Sequence, residues 1–182
     1  MAILKVARMG HPILRRIADP IPVELIRSAP VQALIHDMFE TLQEYDGAGL
    51  AAPQVHQSVR IVMLEIGDEL QVLINPVITA LTEDLVRTYE GCLSVPGFRG
   101  AVDRCFRVRL QGFDEQGEPI DRELEDYDAV VVQHECDHLD GVLYVDRADP
   151  RTLAFLEEYR RWGPLDEVFE AMAEHEADEE EE

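Results

Sequence analysis

The sequence predicts a single α+β domain. Helical periodicity comes first, two hairpin-like pairs of strands follow, and helical signals return near the C-terminus, without the alternation of strand and helix that a parallel sheet needs. The 182 residues, 46% of them hydrophobic, are enough for one continuous core. We assign residues 1–173 to this domain. Residues 174–182, seven of which are acidic, are expected to form a disordered tail because like charges repel.

The first helix is predicted after a turn-rich N-terminal segment. Residues 1–30 contain four prolines and are expected to be extended. Ser28 can cap the helix, and Pro30 is tolerated in its first turn. From Val31 to Leu42 the apolar residues recur at i, i+3, i+4, i+7, i+8 and i+11, which marks one face of an amphipathic helix ending before Gly47.

Strands are predicted in the middle of the chain and helices after them. Segments 59–66 and 70–74 flank one turn, and segments 105–113 and 118–124 flank another, so each pair is expected to form a hairpin. A further strand is predicted at 84–89. A second helix is predicted at about 127–139, although its run of three valines has low helix propensity. A last helical stretch is predicted at about 151–161, resuming at 165–173.

Charge and cysteine content exclude several classes of function. The net charge of −22 disfavours binding to nucleic acid or to an anionic membrane, since both need a local excess of Lys and Arg. No apolar run reaches the roughly 18–20 residues of a membrane span, and the N-terminus has no apolar signal segment. Three cysteines are too few for a disulfide scaffold, so a cytoplasmic location with free thiols is expected.

The most specific motif is His134-Glu135-Cys136-Asp137-His138, an instance of H-E-x-x-H. On a helix, His134 and His138 share one face and can bind a single divalent cation. Glu135 lies beside the first ligand, where it can exchange a proton with a water activated by the metal. A surface helix with two solvated histidines is the simpler interpretation, but the apolar run before the motif favours burial.

A catalytic metal site needs a third protein ligand, which the motif does not name. Cys136 lies about 200° around the helix from His134 and is expected in the core. Cys105 falls in a strand-like alternation and is expected to be structural. Cys92 is favoured, because the glycines and proline around it predict a tight turn that can present a thiolate; the other histidines and the carboxylates remain alternatives.

A third notable segment, 47–54, reads Gly-Ala-Gly-Leu-Ala-Ala-Pro-Gln. Its small residues permit close approach by another extended backbone, and Gln54 offers amide donors. In isolation a plain loop between helix and strand is the favoured interpretation.

Segments 47–54, 90–96 and 133–141, in this order, resemble the three signature motifs of the peptide deformylase family, and segment 8–15 resembles its N-terminal segment. The resemblance covers about residues 3–148. It implies antiparallel sheets wrapped around the central H-E-x-x-H helix, with a C-terminal helix. The implied activity is metal-dependent removal of the formyl group from the N-terminal formyl-methionine of new polypeptides, releasing formate.

The resemblance also implies the site residues. Cys92, His134 and His138 hold the metal, with Fe²⁺ as the native ion and Zn²⁺, Ni²⁺ or Co²⁺ as substitutes. Glu135 transfers the proton, and the Gln54 side chain and the Leu93 backbone N–H face the oxyanion. Gly49 contacts the substrate backbone. Glu90 and Arg99 support the site. Segment 127–132 departs from the family's usual sequence; Val130, one turn before His134, is expected to line the pocket for the first side chain of the substrate.

Two alternatives compete with this hypothesis. A zinc endopeptidase shares the motif and needs a further downstream ligand such as Glu157 or Glu158, but it explains neither Cys92 nor segment 47–54. A non-catalytic binding module is expected to have lost a ligand, the glutamate or the glutamine, and all five residues are present. The expected partners are nascent N-formylmethionyl peptides, with a monomeric chain that comes near the ribosome transiently and binds no nucleic acid directly.

Overall fold

The computed structural model describes residues 2–66 and 69–165. Within those ranges the chain forms eight strands and three α-helices, and their order confirms the α+β class. The elements are β1 (Gly49–Ala51), β2 (Ile61–Ile66), β3 (Glu69–Ala80), β4 (Leu85–Cys92), β5 (Val95–Cys105), β6 (Arg107–Phe113), β7 (Pro119–Glu125), β8 (Ala154–Phe155), α1 (Ala29–Tyr45), α2 (Asp126–Leu139) and α3 (Leu156–Trp162). None of the helices in the described ranges is long and apolar enough to cross a membrane.

The strands form two antiparallel sheets. The larger has the order β1-β2-β3-β6-β7, and the smaller has the order β4-β5-β8. Both predicted hairpins are present, as β2–β3 and β6–β7. The turn between β2 and β3, residues 67–68, lies outside the described residues. Among the strands of the described residues, β1 pairs with β2 alone, so it forms one edge of the larger sheet.

The two long helices cover opposite faces of the larger sheet at β2. Val62 and Leu64 pack in one core cluster with Val132 and Leu139 of α2. The alternate β2 residues, Ile61 and Met63, pack in a second cluster that contains the buried face of α1. A strand buried on both faces needs a nearly continuous apolar run, which Ile-Val-Met-Leu supplies. Helix α2 is therefore central, as the resemblance implies.

The N-terminal segment wraps around this core. It contains two short 3₁₀ turns, Pro12–Arg15 and Val23–Leu25, and further turns at residues 9–10 and 26–27, which agrees with the turn-rich segment predicted from the sequence. Its backbone N–H groups at Ala7 and Met9 donate to the carbonyls of Gln54 and Ser94, each at 2.7 Å. Ser28 occupies the N-cap position of α1, but its side chain makes no capping hydrogen bond, so this part of the prediction is wrong.

Three segments differ from the sequence prediction for identifiable reasons. Strand β3 continues past Ile74 to Ala80, because a bulge accommodates Asn75 at positive φ and Pro76 after it. Strand β5 was not predicted, since its glycines and charged residues hide any apolar alternation; Cys105 ends it rather than beginning β6. The segment predicted as one helix from about 151 is a 3₁₀ turn, the short strand β8 and then α3. The stretch predicted at 165–173 and the acidic tail lie, but for residue 165, outside the described residues.

Candidate functional site

Helix α2 forms despite its valines because tertiary packing holds it. Val130 and Val132 are buried, and burial of β-branched side chains outweighs their small helix penalty. The Gln133 side chain also clamps the helix to the end of β5, donating to the Cys105 carbonyl at 2.9 Å and accepting from its N–H at 3.1 Å. The helix thus places His134 and His138 on one face, with ring centroids 5.2 Å apart.

Cys92 belongs to the smaller sheet and lies close to these histidines. It is the last residue of β4 and pairs with Val95 across the tight turn that the sequence predicts. Its Sγ lies 3.2 Å from Nε2 of His138. Ligand atoms of Cys92, His134 and His138 all lie within 4.8 Å of one another. The structure therefore brings together the three residues named from the sequence.

The chemistry of this donor set fits a divalent cation. A thiolate and two imidazoles suit Zn²⁺ and Fe²⁺ alike. His138 is buried, and its Nδ1 has no hydrogen-bond partner among the described residues, while its Nε2 faces the Cys92 sulfur. His134 is nearly buried, with 11% of its side chain exposed. These two imidazoles and the thiol are close enough together to hold one metal ion.

Glu90 orients the His134 ring. Its Oε2 lies 2.6 Å from Nδ1 of His134. Burial by itself raises the pKa of Glu90, but hydrogen bonds from Arg104 and His134 outweigh it and bring the pKa down to about 2. An ionised carboxylate only accepts hydrogen bonds, so Nδ1 carries the proton and Nε2 is the ring nitrogen that could bind a metal.

A chain of buried ion pairs extends from Glu90 to the surface. Arg104 donates from Nε and Nη2 to the two Glu90 oxygens at 2.7 and 2.9 Å, and from Nη1 to Asp137 at 2.6 Å. Arg147 then donates two hydrogen bonds to Asp137, both at 2.7 Å. We call the series His134–Glu90–Arg104–Asp137–Arg147 the ionic chain. Sequence reasoning missed its last three members. Arg99, named from the sequence as a supporting residue, lines the same cavity; its guanidinium lies against Gly91 and donates to the Phe98 carbonyl.

Glu135 is buried, and its pKa is raised above the ordinary value for a glutamate. Burial is the main cause that raises its pKa to about 7, and the negative charge of Glu90 adds to it, against the lowering effects of His134 and Arg104. Its Oε2 has no hydrogen-bond partner within the described part of the chain. A Cβ at Gly49 would lie 2.7 Å from the Glu135 Cδ, so only glycine there leaves room for this side chain. A carboxyl with such a pKa can both accept and release a proton at pH 7.

Gln54 is held with its amide donors toward Cys92. It lies in the buried 3₁₀ turn Ala52–Val55 that follows β1. Its Oε1 accepts the Ala51 N–H at 2.7 Å, so the amide nitrogen points the other way. That nitrogen lies 3.5 Å from the Cys92 sulfur and 3.3 Å from the Ser94 hydroxyl. Leu93 follows Cys92 in the chain and lies in the turn between β4 and β5.

A cavity of about 1110 Å³ opens onto these groups. Its lining includes Cys92, His134, Glu135 and Gln54. Leu93, Gly49 and Val130 line it too, and the glycines of segment 47–49 belong to or adjoin the edge strand β1. All the site residues named from the sequence line the cavity, except His138. His138 contacts the cavity-lining residue Cys92 through its Nε2.

The H-E-x-x-H helix brings two histidines close to a cysteine at the cavity, and a glutamate with a pKa of about 7 lies beside them. These features define the site of a metal-dependent hydrolase. Residues 3–154 match the family model of polypeptide deformylase. The chain belongs to this family. The family is metal-dependent, and its activity is hydrolysis of the formyl group from N-terminal formyl-methionine. This outcome confirms the resemblance and disfavours both the endopeptidase and the non-catalytic alternative.

Relatives and solved structures agree with this assignment. A peptide deformylase of Pseudomonas aeruginosa is 48% identical over 149 residues, which are 80% of this chain and 87% of that protein. Peptide deformylase 2 of Pseudomonas syringae pv. tomato is 40% identical over 180 residues, covering 93% and 96%. An actinonin-bound class I type b enzyme from Acinetobacter baumannii superimposes with a TM-score of 0.77 at 36% identity, over 82% of this chain and 100% of that one. The same enzyme has been solved with Met-Ala-Ser bound.

Proposed function

We propose that the cavity is the site of deformylation, with Cys92, His134 and His138 holding one divalent ion and with Fe²⁺ as the native one. The observation that carries this proposal is the convergence of their ligand atoms within 4.8 Å, beside a cavity that Glu135 and Gln54 also line. The donor set suits Zn²⁺, Ni²⁺ and Co²⁺ as well, so these ions are proposed as substitutes.

Glu135 is the proposed proton carrier. Cys92, His134 and His138 would hold a cation, whose chemistry would be to lower the pKa of a water and to polarise a carbonyl. Glu135 takes a proton as water adds to the formyl carbon. It then gives this proton to the amide nitrogen as the C–N bond breaks, which leaves formate and a free N-terminal amine. The pKa of about 7 supports both directions of transfer, because neither form of the carboxyl is strongly disfavoured at neutral pH.

Gln54 and the backbone N–H of Leu93 are the proposed oxyanion donors. The orientation of the Gln54 amide supports this role, since its oxygen is already occupied by the Ala51 N–H. A donor fixed before the reaction loses no free energy to reorientation when negative charge develops on the formyl oxygen.

Gly49 and Val130 are the proposed substrate contacts. Within residues 2–66 and 69–165, no strand pairs with the outer edge of β1, so an extended peptide backbone can lie along Gly49 in the cavity. Val130 is buried in the cavity wall one helical turn before His134, a position that suits an apolar pocket for the methionine side chain.

The proposed setting is the cytoplasm, where a monomeric chain acts on nascent N-formylmethionyl peptides. Residues 1–173 are proposed to work as one domain, with residues 174–182 as a separate acidic tail. The net charge of −22 supports only transient proximity to the ribosome, without nucleic-acid or membrane contacts of its own.

Formate release from formyl-Met-Ala-Ser, measured with and without a metal chelator, tests the proposal. We expect stoichiometric formate and Met-Ala-Ser, and loss of both on chelation. Acetyl-Met-Ala-Ser and a longer unformylated peptide serve as matched controls and should remain intact. Internal cleavage of the unformylated peptide, without formate release, would instead indicate an endopeptidase.

A further inference from the structure

Arg147 lies at the outer end of the ionic chain. It follows the 3₁₀ turn Tyr144–Asp146, and 48% of its side chain is exposed. Its Nε and Nη2 each donate to a different oxygen of Asp137, at 2.7 Å. Two parallel hydrogen bonds fix the plane as well as the distance of a guanidinium–carboxylate pair. Asp137 is therefore held in one orientation from the surface side.

Arg104 stands between two carboxylates. Its side chain is only 3% exposed, and it binds Glu90 through two nitrogens and Asp137 through the third. With Arg104 alone, two carboxylates would share one guanidinium in a place where water is largely excluded. Arg147 supplies the second positive charge, so that each carboxylate has a cation. Without it, Asp137 would draw Arg104 away from Glu90.

The inner end of the chain is the imidazole of His134. Glu90 Oε2 accepts from both Arg104 Nη2 and His134 Nδ1, at 2.9 and 2.6 Å. A shift of Arg104 toward Asp137 therefore moves or rotates the carboxylate that sets the ring plane of His134. Hydrogen-bond partners of metal-binding histidines are known to affect metal affinity in this way.

We propose that Arg147 is a positioning residue of the metal centre, which acts through Asp137, Arg104 and Glu90 to fix the His134 imidazole. The proposal rests on the proposed role of His134 as a metal ligand. Arg147 does not line the cavity, and its hydrogen bonds to Asp137 connect it to the proposed metal ligands only indirectly. Its effect is thus expected on metal binding and turnover rather than on substrate binding.

Metal affinity by chelator competition, with Co²⁺ as the probe, separates this role from plain stability. We expect Arg147→Ala to weaken Co²⁺ binding about three- to tenfold, less than the roughly 10- to 100-fold typical of a direct partner of the ligand. The thiolate-to-Co²⁺ absorption band should shift, and kcat should fall while KM for formyl-Met-Ala-Ser stays the same. Arg147→Lys keeps the charge without the double hydrogen bond, so it should give an intermediate result.

Arg109→Ala is the matched control. Arg109 also has half of its side chain exposed and makes two 2.7 Å hydrogen bonds to one carboxylate, Asp121, but on β6 away from the site. It should leave Co²⁺ affinity and spectrum unchanged. If Arg147→Ala behaves like Arg109→Ala, losing thermal stability alone, Arg147 is only structural and the proposal is overturned.

A double-mutant cycle with Glu90→Gln tests the route. If Arg147 acts through Glu90, Arg147→Ala should cause no further loss of Co²⁺ affinity in the Glu90→Gln background. An undiminished loss there would overturn the proposal. A wild-type chain that binds no Co²⁺ would refute the metal site itself, whereas normal wild-type binding with an unaffected Arg147→Ala variant refutes only the role of Arg147.

Discussion

Two regions around the site, the ionic chain and segment 47–54, are built from opposite kinds of residues. On one side, the ionic chain from His134 to Arg147 holds a proposed metal ligand with charges. On the other side, the segment from Gly47 to Gln54, here called the glycine wall, is uncharged and consists mostly of small side chains. The ionic chain fixes a group in place. The glycine wall provides room, since a Cβ at Gly49 would collide with Glu135.

This contrast indicates a division of labour. A histidine that binds a metal must keep one tautomer and one ring plane, and a network of charge-assisted hydrogen bonds supplies both. A proton carrier and a peptide substrate need space and close backbone approach, which glycine supplies. Glu135 belongs to both regions, because it follows His134 in the sequence and lies against Gly49 in space.

Replacement of this shared residue should have the largest effect. Glu135→Gln keeps the size of the side chain but cannot take or give the proton, so turnover should fall about 10²- to 10⁴-fold. The bound metal should be retained, because no ligand is lost. Formate release and metal content per chain measure the two properties, and near wild-type turnover would show that Glu135 has another role.

Replacement of Gln54 tests the glycine wall alone. Gln54→Ala removes a proposed oxyanion donor and should lower kcat about 10²- to 10³-fold, with a smaller change in KM. The control is Gln111→Ala, since Gln111 lies on β6 and bonds to the exposed Asp121. Steady-state kinetics on formyl-Met-Ala-Ser decide; a loss confined to KM would assign Gln54 to substrate binding instead.

Gly49→Ala should reduce turnover less, about 10- to 100-fold, by displacing the Glu135 carboxyl rather than removing it. Metal content should not change. If the effect passes through Glu135, the substitution should cost little more in a Glu135→Gln background. Equal losses in both backgrounds would mean that Gly49 acts mainly on the substrate backbone.

Removal of residues 174–182 should have the smallest effect. The ionic chain and the glycine wall are built from residues before 148, so kcat and KM on short formylated peptides should equal those of the full chain. A change in either constant would show that the acidic tail reaches the site.

The sequence predicts the glycine wall better than the ionic chain. Segment 47–54, Cys92 in its turn and the H-E-x-x-H helix are local patterns that match the family's motifs. The resemblance assigns their roles, since spacing alone favours a plain loop at 47–54 and leaves the third ligand open. The pairing of Arg104 with Asp137 joins residues 33 positions apart, and no local rule selects one arginine among many. Strand β5, which carries Arg104, was missed for the same reason: its pairing with β4 stabilises it rather than its own apolar pattern.

The dependence of activity on bound metal tests the central claim most directly. Protein purified without oxygen is assayed for metal content and formate release, stripped with a chelator, and then titrated with Fe²⁺ and, separately, with Zn²⁺, Ni²⁺ and Co²⁺. Our account predicts that activity rises in proportion to bound metal, saturates at one ion per chain, and is highest with Fe²⁺. A Cys92→Ala variant should fail to regain activity. Full activity in metal-free protein, or in Cys92→Ala, would contradict the account.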